Sequence, residues 1–471
     1  MPQQNKVDIV FAGLPWVEGG TPLMAPAVLK SMVQLEGYSA VALDLNIEFT
    51  NRLTEKFDNI HDCIDLTNFL VFGNYQDINS KHKIFESFCQ EIDYMAERIL
   101  SYDSEHIGLC LLSTHSQFCT EYLALRLRAL DPDKKIVIGG PGLTESITLP
   151  DVLNFPEKLI DIGAIDCFIT SRGKEGILEY LRGNLGSSDR ELNFNPSNTE
   201  MDLPYPDYSD YNFDQYPYKC IPILESEGCV QNCEFCDLIE YWPKYKFKQA
   251  SAFFDEMVYQ SKRYGINDFS VRNSLTNGSI KEFQKWLHLI VDYNTENPDN
   301  QLTWGGYFII RPEVYHPEEM FELIGKSNGS LVIGVETPVE RVRAGMGKKF
   351  TNKDIDFHFE MCKKYNIPNC LLLMLANPDE TQEDYKFVQE WVTNLSQYKD
   401  NAIKLIVALM TTITPNTEWD RKRKERGWDL MPDSTLTFQQ PGVNDFQQRV
   451  EHTLIVNNLI RPYQLGKVLF Y

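Results

Sequence analysis

Three cysteines lie close together between residues 225 and 237, where the sequence reads Glu-Ser-Glu-Gly-Cys-Val-Gln-Asn-Cys-Glu-Phe-Cys-Asp. Cys229, Cys233 and Cys236 have the spacing Cys-x3-Cys-x2-Cys and follow an apolar run at residues 221–224. Three thiolates on one short loop can bind three irons of a cubane iron–sulfur cluster. A fourth iron would lack a protein ligand and could bind an exogenous molecule. The spacing therefore predicts a [4Fe-4S] cluster with one iron open to a ligand.

Two other interpretations of these cysteines stay open. Three of the eleven cysteines in the chain could lie close together by chance, or they could bind zinc with a remote fourth ligand. Structural zinc sites commonly use two pairs of ligands, and ordinary ferredoxins use runs of four cysteines. The observed spacing differs from both. Because the loop also follows a predicted strand, its structural context favours the cluster.

The cysteine spacing, with Phe235 before the last cysteine, resembles the signature of the radical S-adenosylmethionine (SAM) enzymes. The resemblance implies that the open iron binds the amino and carboxylate groups of SAM. It also implies that an electron from the cluster cleaves SAM to a 5′-deoxyadenosyl radical, which abstracts hydrogen from an unactivated carbon. An electron donor such as a flavodoxin or a ferredoxin is implied as a partner.

From residue 220 onward, predicted strands alternate with predicted helices. The strand candidates are residues 221–226, 268–272, 302–309, 330–335, 370–376 and 403–410. The helical stretches lie near residues 249–264, 279–296, 317–327, 352–365, 382–397 and 416–426. Six such units resemble the partial (β/α)6 barrel, of the TIM type, in the radical SAM core. Chemistry in such barrels collects at the carboxyl ends of the strands, and the cysteine loop follows the first strand.

Polar residues follow the other strands of this predicted barrel. The resemblance assigns SAM contacts to the aromatic residue of the cysteine motif and to five strand-end residues: Phe235, Asn273, Ser274, Arg311, Glu336 and Asn377. Glu336 lies in a segment similar to the family's Gly-x-Glu-Ser, and Met346-Gly347-Lys348 is similar to its Met-x-Lys. As alternatives, Glu336 and Arg311 could only tie loops together, and Asn377 could only shape its turn.

Two polar patterns predict local structure rather than chemistry. Glu380 and Thr381 are typical of a helix start, where acceptors cap free amides. The basic run at residues 421–426 is typical of a solvated helix face.

The first part of the chain shows another alternation. Strand candidates lie at residues 7–12, 40–45, 107–112, 135–138 and 166–169, and helical stretches near 23–35, 84–101, 117–130 and 173–182. Such an alternation predicts an α/β fold, with a doubly wound, Rossmann-like parallel sheet covered on both faces.

Ligands bind such sheets at the carboxyl ends of the strands. Residues in the loops there are Pro22, Leu23, Ser113, Thr114, Gly139, Gly140 and Gly142. Glycines permit close backbone approach to a bulky polar ligand, although glycine turns alone are also typical of ordinary tight turns. Residues 7–182 resemble the cobalamin-binding domain that precedes the radical core in one branch of the family, and this resemblance implies cobalamin contacts for these seven residues. The sequence departs from many cobalamin proteins at Asp44, which no histidine follows in the Asp-x-His-x-x-Gly pattern.

We expect four segments in the 471-residue chain. Residues 1–185 form the cobalamin-binding-like domain, and 186–219, with prolines that exclude a helix, form a linker. Residues 220–426 form the barrel. Residues 427–471 form a small C-terminal extension with a helical stretch at 446–459, which caps the barrel or folds by itself.

The composition indicates which classes of substrate and which cellular compartment to expect. A net charge of −22 argues against nucleic acid, leaving a small molecule, a lipid or a peptide as substrate. The cysteines without regular pairing, and the lack of both a signal segment and a membrane-spanning run, predict a cytoplasmic protein.

The combined interpretation is a cobalamin-dependent radical SAM enzyme that carries a [4Fe-4S] cluster, SAM and cobalamin. The resemblance implies that methylcobalamin supplies a methyl group to the carbon from which hydrogen is taken. One alternative keeps the radical chemistry for a rearrangement or cyclisation, or acts without cobalamin. Another is a non-catalytic protein with zinc at the cysteines.

Overall fold

The computed structural model describes residues 6–15, 20–56, 83–143, 155–170, 173–183, 191–192, 201, 203–242, 244–399, 402–431 and 437–464. The chain divides into two compact units. The first comprises residues 1–198 and 202–219, and the second comprises residues 199–201 and 220–471.

A parallel sheet forms the centre of the first unit. Its strands are β1 (Lys6–Gly13), β2 (Ala40–Asp44), β3 (Asp103–Cys110), β4 (Lys135–Gly139), β5 (Cys167–Ile169) and β6 (Glu191–Leu192). The spatial order is β2-β1-β3-β4-β5-β6, with parallel pairing throughout. Because the order reverses between β1 and β3, their carboxyl ends border the crevice where doubly wound sheets bind ligands. The predicted doubly wound fold is confirmed.

Side chains alternate between the two faces of this sheet, as the two-residue period of a strand requires. Ile9 and Phe11 of β1 belong to one core cluster, and Val10 and Ala12 belong to another. Helices cover these clusters: α1 (Met24–Leu35), α2 (Leu45–Lys56), α3 (Lys83–Leu100), α4 (Gln117–Leu130), α5 (Phe155–Asp161) and α6 (Gly173–Leu181). Helix α2 was not predicted from the sequence, because it begins directly after β2 without a turn residue between them.

Residues 203–219, part of the expected linker, pack against the first unit. Tyr208 is fully buried. The Asp207 amide donates to the Ala27 carbonyl oxygen at 3.0 Å, and the Lys30 ammonium lies 2.6 Å from the Asp210 carboxylate. The prolines prevent regular structure here, as expected. The aromatic side chains nevertheless bury enough apolar surface to fix the segment in place.

Another parallel sheet forms the second unit. Its strands are β7 (Ile221–Ile223), β10 (Asp268–Val271), β11 (Thr303–Phe308), β12 (Gly329–Glu336), β13 (Asn369–Leu375) and β14 (Ile403–Met410). They lie in sequence order, and each neighbouring pair is parallel. Two short antiparallel pairs join β8 (Ser226–Glu227) to β9 (Lys246–Phe247), and β15 (Asp429–Leu430) to β16 (Phe438–Gln439).

The helices of the second unit alternate with these strands. They are α7 (Leu238–Tyr241), α8 (Ala250–Tyr264), α9 (Ile280–Glu296), α10 (Glu318–Lys326), α11 (Glu340–Gly345), α12 (Asn352–Lys364), α13 (Gln382–Asn394), α14 (Glu418–Lys422) and α15 (Phe446–Gln464). On β12, Leu331, Ile333 and Val335 are completely buried. Val332 belongs instead to a separate apolar cluster on the opposite face of the sheet. In the described part of the chain, no helix is long and apolar enough to cross a membrane.

The C-terminal segment packs against the last strand through one buried cation. Arg449 of α15 is completely buried, and its guanidinium carbon lies 3.7 Å from the centre of the Phe438 ring. Its Nε donates to the Ala376 carbonyl oxygen at 3.1 Å, and its other nitrogens donate to the carbonyl oxygens of Phe438 and Thr411. These bonds join α15 to the carboxyl ends of β13 and β14.

Candidate active site

The three motif cysteines lie on the loop that follows β7, at the carboxyl end of the first strand of the second sheet. Their thiols are free and half-buried. Burial is the largest influence on each, and it raises the pKa of all three, that of Cys233 to about 12. Metal ligation requires the thiolate. These thiols therefore fit a cationic group, which would supply the positive charge that their surroundings only partly provide.

The Lys348 ammonium is the nearby positive charge that acts on all three thiols. It lowers the pKa of Cys229, Cys233 and Cys236, against the larger effect of burial. Among the described residues, no three His, Cys, Asp or Glu side chains converge as the ligands of a single metal ion. A cubane cluster does not require such convergence, because each thiolate binds a different iron.

Glu234 fixes the cysteine loop to the last strand–helix unit. Its carboxylate lies 3.1 Å from the Lys422 ammonium and 3.5 Å from the Arg426 guanidinium. The Trp419 amide donates to the Glu234 carbonyl oxygen at 3.0 Å, and the Phe235 and Trp419 rings are 5.6 Å apart. Arg426 is exposed and Lys422 is partly exposed, as the predicted solvated face requires. Both nevertheless pair with an acidic residue about 190 positions away in the sequence.

Two segments picked out by the family resemblance meet beside the cysteines. The Lys348 ammonium donates to the Glu336 carboxylate and to the Gly334 carbonyl oxygen, both at 2.6 Å. Lys348 is only 9% exposed. Glu336 adopts a positive φ of 64° at an irregularity in the pairing of β12 with β13. This backbone conformation is uncommon for a residue with a side chain, and here it directs the carboxylate to the lysine.

Gly347 brings this lysine segment against the cysteine loop. Its φ is +86°, and a Cβ there would lie 2.8 Å from the Asn232 carbonyl oxygen. The Glu234 amide donates to the Met346 carbonyl oxygen at 2.9 Å. Only glycine combines this φ with such a close approach at low cost.

Gly334→Ala is expected to lower the free energy of unfolding by about 1–3 kcal/mol, the usual cost of forcing atoms into a packed site. The added Cβ would lie 2.9 Å from the Lys348 ammonium and closer still to a Glu336 oxygen. Guanidinium denaturation, followed by tryptophan fluorescence, measures the change. Gly345→Ala is the matched control, because its Cβ would meet nothing within 4 Å. Equal changes in the free energy of unfolding for the two substitutions would contradict close packing around Lys348 and Glu336.

Asn273 and Ser274, the predicted SAM contacts after β10, differ in their surroundings. Asn273 is buried, and its amide donates to Glu225 and Ser226, each at 3.0 Å, while its oxygen accepts from Thr276 at 3.2 Å. Ser274 is partly exposed. Burial raises the pKa of Glu225 to about 8. Sequence reasoning missed Glu225, although its place directly after an apolar strand was a signal.

Arg311 lies after β11, as predicted, and faces the cysteine loop. One of its terminal nitrogens donates to the carbonyl oxygens of Asn277 and Gly278, at 3.1 and 3.3 Å. Its Nε is buried, and no described residue accepts a hydrogen bond from it. Burial lowers the pKa of Arg311, whereas the nearby ionisable groups of Tyr245 and Cys229 raise it. A buried guanidinium with an unused donor is suited to an anionic partner.

Asn377 is completely buried within a polar network rather than open to a ligand. Its amide donates to the Met374 carbonyl oxygen and to Glu380, at 2.7 and 3.0 Å, and its oxygen accepts from Thr411 at 2.8 Å. Both donors and the acceptor are thus engaged, which favours the turn-shaping interpretation.

Thr381 caps helix α13 as predicted, within a capping box that includes Asp384. Glu380 has a different role from the predicted cap. Its carboxylate accepts from the backbone N–H of Asn377 and from the Thr337 hydroxyl, both at 2.8 Å. It thus joins the ends of β12 and β13.

Glu380→Gln is expected to flatten the pH dependence of stability between about pH 4.5 and 7. Burial raises the pKa of this carboxyl from 4.5 to about 7. Between those values the folded state holds a proton that the unfolded state has released, so the free energy of unfolding falls as pH rises, by on the order of 2–3 kcal/mol. Denaturation at pH 5, 6 and 7 measures the slope. The exposed Glu383→Gln is the control, and an unchanged slope in Glu380→Gln would contradict the prediction.

At the carboxyl edge of the first sheet, the predicted cobalamin contacts lie on the loops that border the β1–β3 crevice. Pro22 is buried, and Leu23 is half-buried. The Ser113 hydroxyl is buried and has no hydrogen-bond partner among the residues that the structure describes. Thr114 lies in a short 3-10 turn, but its side chain is outside the described residues.

The glycines of the β4 loop approach protein backbone. A Cβ on Gly140 would collide with the Leu111 carbonyl oxygen, and one on Gly142 with that of Ser113. A Cβ on Gly139 would have ordinary contacts only. Gly140 and Gly142 therefore hold two strand-end loops against each other, beside the Ser113 hydroxyl.

The second unit matches a known protein family, and the whole chain resembles solved structures. Residues 224–392 match the Radical SAM superfamily. No curated protein matches the sequence. The radical SAM methyltransferase TsrM from Kitasatospora setae, solved with tryptophan substrate and a SAM analogue, has a TM-score of 0.65 at 15% identity, over 98% of this chain and 92% of that one. A TsrM structure with cobalamin and a [4Fe-4S] cluster has a TM-score of 0.62 at 16% identity, over 91% and 80% of the chains.

A further structural likeness is to OxsB, a cobalamin-dependent SAM radical enzyme solved with aqua-cobalamin and SAM. Its TM-score is 0.64 at 13% identity, over 95% of this chain and 66% of that chain. At such identities, the likenesses show a shared fold. The predicted α/β architecture of two parallel-sheet units is thereby confirmed.

Proposed function

We propose that this chain, whose residues 224–392 match the Radical SAM superfamily, is a radical SAM enzyme and a cobalamin-dependent methyltransferase acting on an unactivated carbon. The observation that carries the proposal is the group of three half-buried thiols beside the Lys348–Glu336 pair. The fold shared with TsrM and OxsB supports the cobalamin component.

The thiols of Cys229, Cys233 and Cys236 would hold the cluster. When bound, the three cofactors supply an electron, a 5′-deoxyadenosyl radical and a methyl group. The contribution of this chain is to bind, orient and enclose them. Glu234 holds the loop in place through Lys422 and Arg426.

Arg311 and Glu336 are the side chains best suited to hold SAM. Arg311 offers a buried, unused N–H to a carboxylate. Glu336 can accept hydrogen bonds from an amino group or from ribose hydroxyls while Lys348 balances its charge. Phe235 and Ser274 lie on neighbouring loops of the same unit and complete the proposed set. Asn273 and Asn377 are engaged within the protein and act on this site through the loops that they shape.

Cobalamin is proposed to bind at the carboxyl edge of the first sheet. Within the described part of the chain, the Ser113 hydroxyl has no hydrogen-bond partner, and a buried polar group of this kind calls for a ligand or a water. Pro22, Leu23 and the Gly139–Gly142 turn border the same crevice. The edge thus fits a large ligand that is held by loops and a hydroxyl group.

An apolar surface on the second sheet could hold the part of the substrate that carries the unactivated carbon. The side chains of Val332 and Cys370 are buried there, with Leu372, Leu405 and Val407 packed against them. Such a surface offers few polar groups to a radical and limits side reactions by excluding water.

Mass spectrometry after anaerobic incubation tests the proposal. The reconstituted protein would receive a low-potential reductant, hydroxocobalamin and SAM with a deuterated methyl group. We expect both 5′-deoxyadenosine and S-adenosylhomocysteine, and loss of both products in Cys233→Ala. 5′-Deoxyadenosine without S-adenosylhomocysteine would favour a rearrangement or cyclisation and contradict methyl transfer. Neither product would contradict radical SAM activity.

A further inference from the structure

Asp44, at the end of β2, is a buried carboxylate with three separate hydrogen-bond donors. It is only 5% exposed. One oxygen accepts from the Ile47 amide at 3.1 Å. The other accepts from the Leu23 amide and from the Tyr216 hydroxyl, both at 2.9 Å. Burial raises the pKa of this carboxyl to about 6, so the protein keeps a costly group at this position.

Helix capping accounts for the hydrogen bond of only one of the two Asp44 carboxylate oxygens. The bond to the Ile47 amide is the ordinary cap of helix α2. The second oxygen joins Leu23, which lies 21 residues earlier in the chain, to Tyr216, which lies 172 residues later. A serine or an asparagine would cap the helix equally well. Capping of helix α2 therefore does not account for the second oxygen, which holds Leu23 and Tyr216 together.

Leu23 belongs to the loop at residues 20–23, which follows β1, and this loop has further bonds to residues 211–218. The Tyr211 hydroxyl donates to the Leu23 carbonyl oxygen at 2.8 Å. The Tyr218 amide donates to the Gly20 carbonyl oxygen at 3.4 Å. A Cβ on Gly20 would lie 3.0 Å from Pro217. Leu23 is thus bonded at both its amide and its carbonyl group.

We infer that Asp44 is the positioning residue for the loop at residues 20–23, which its carboxylate joins to helix α2 and to Tyr216 in one clamp beside the β1–β3 crevice. This inference rests on the proposed function in one respect, namely that the loop borders the cobalamin site. Asp44 itself acts through Leu23. Its place at the end of β2 gives the clamp a rigid base, because the β-sheet fixes the strand.

Hydrogen exchange in the full-length apo protein tests the clamp directly. Tyr216→Phe and Asp44→Asn are expected to speed exchange of the amides at residues 20–23 about fivefold, as for the loss of one ordinary hydrogen bond. Tyr216→Phe removes one hydrogen bond to Asp44 and leaves the cap of helix α2 intact. It therefore still tests the clamp if Asp44→Asn fails to fold. The control is Asp214→Asn, because Asp214 is exposed and pairs with Lys219 at the surface. Unchanged exchange in both variants would overturn the inference.

Titration with hydroxocobalamin tests the connection to the ligand. We expect the two variants to bind it about fivefold more weakly than the wild type, by absorbance, with Asp214→Asn unchanged. Faster exchange with unchanged affinity would overturn the role of the loop in cobalamin binding. If the wild type binds no hydroxocobalamin, the cobalamin part of the proposed function fails, and the exchange result alone decides whether Asp44 positions the loop.

Discussion

Replacing Cys233 with alanine is expected to lower the cluster iron from about four atoms per chain to less than about one. SAM cleavage should fall to background with it, because two thiolates on a loop hold a cubane poorly. Burial raises the pKa of the Cys233 thiol to about 12. This thiol therefore needs a bound cation in order to ionise near neutral pH.

Iron analysis and the visible spectrum of the reconstituted protein measure this effect. Cys89→Ala is the matched control, since Cys89 is a partly buried, free cysteine on helix α3 of the first unit. Full iron content in Cys233→Ala would show that the cluster is held elsewhere. Equal loss of iron in both variants would point to misfolding instead of lost ligation.

Replacing Lys348 with methionine is expected to lower the free energy of unfolding by about 3–5 kcal/mol, the usual cost of breaking one side of a buried pair. The substitution keeps most of the side-chain volume but removes both 2.6 Å bonds of the ammonium. It leaves the Glu336 carboxylate, whose side chain is 11% exposed, without its cation. Binding of SAM should weaken as Glu336 changes its position.

Lys349→Met is the control for this substitution, because Lys349 is exposed and adjacent in the sequence. Guanidinium denaturation gives the stability, and equilibrium dialysis with labelled SAM gives the affinity. A Lys348→Met, Glu336→Gln double variant should recover part of the loss, since it removes the unpaired charge. If Lys348→Met and Lys349→Met behave alike, the pair is not important for the site.

The strands and helices around the site could be predicted because their signals are local. Apolar runs such as the one in β13 and helical periodicity such as that of α9 do not depend on distant residues. The cysteine motif was equally readable, since its three ligands lie within eight residues of one another. Such features require no knowledge of how the chain folds back on itself.

The contacts that hold these elements together could not be predicted because their partners are distant in the sequence. Glu234 bonds to Lys422 and Arg426, and nothing in either segment indicates the other. Asn377 has the same residue type as a ligand-binding asparagine, but Thr411 and Glu380 occupy its polar atoms. Residue type and position identify candidates, and only the packing shows which of them are free to bind.

The segment at residues 203–219 illustrates the same limit at a larger scale. Its prolines and polar residues are typical of a linker, and no periodic pattern opposes that interpretation. Tyr208 and Tyr216 are buried, and this burial depends on the segment folding back onto distant elements such as β2 and helix α1. A row of aromatic residues in a proline-rich stretch was the one available signal.

Anaerobic reconstitution with iron, sulfide and hydroxocobalamin, followed by metal analysis and a visible spectrum, tests the central claim most directly. We predict about four irons per chain, as a cubane cluster requires, together with stoichiometric cobalt. Iron without cobalt would contradict the cobalamin-dependent part of the proposal. Zinc without iron would contradict the radical mechanism itself.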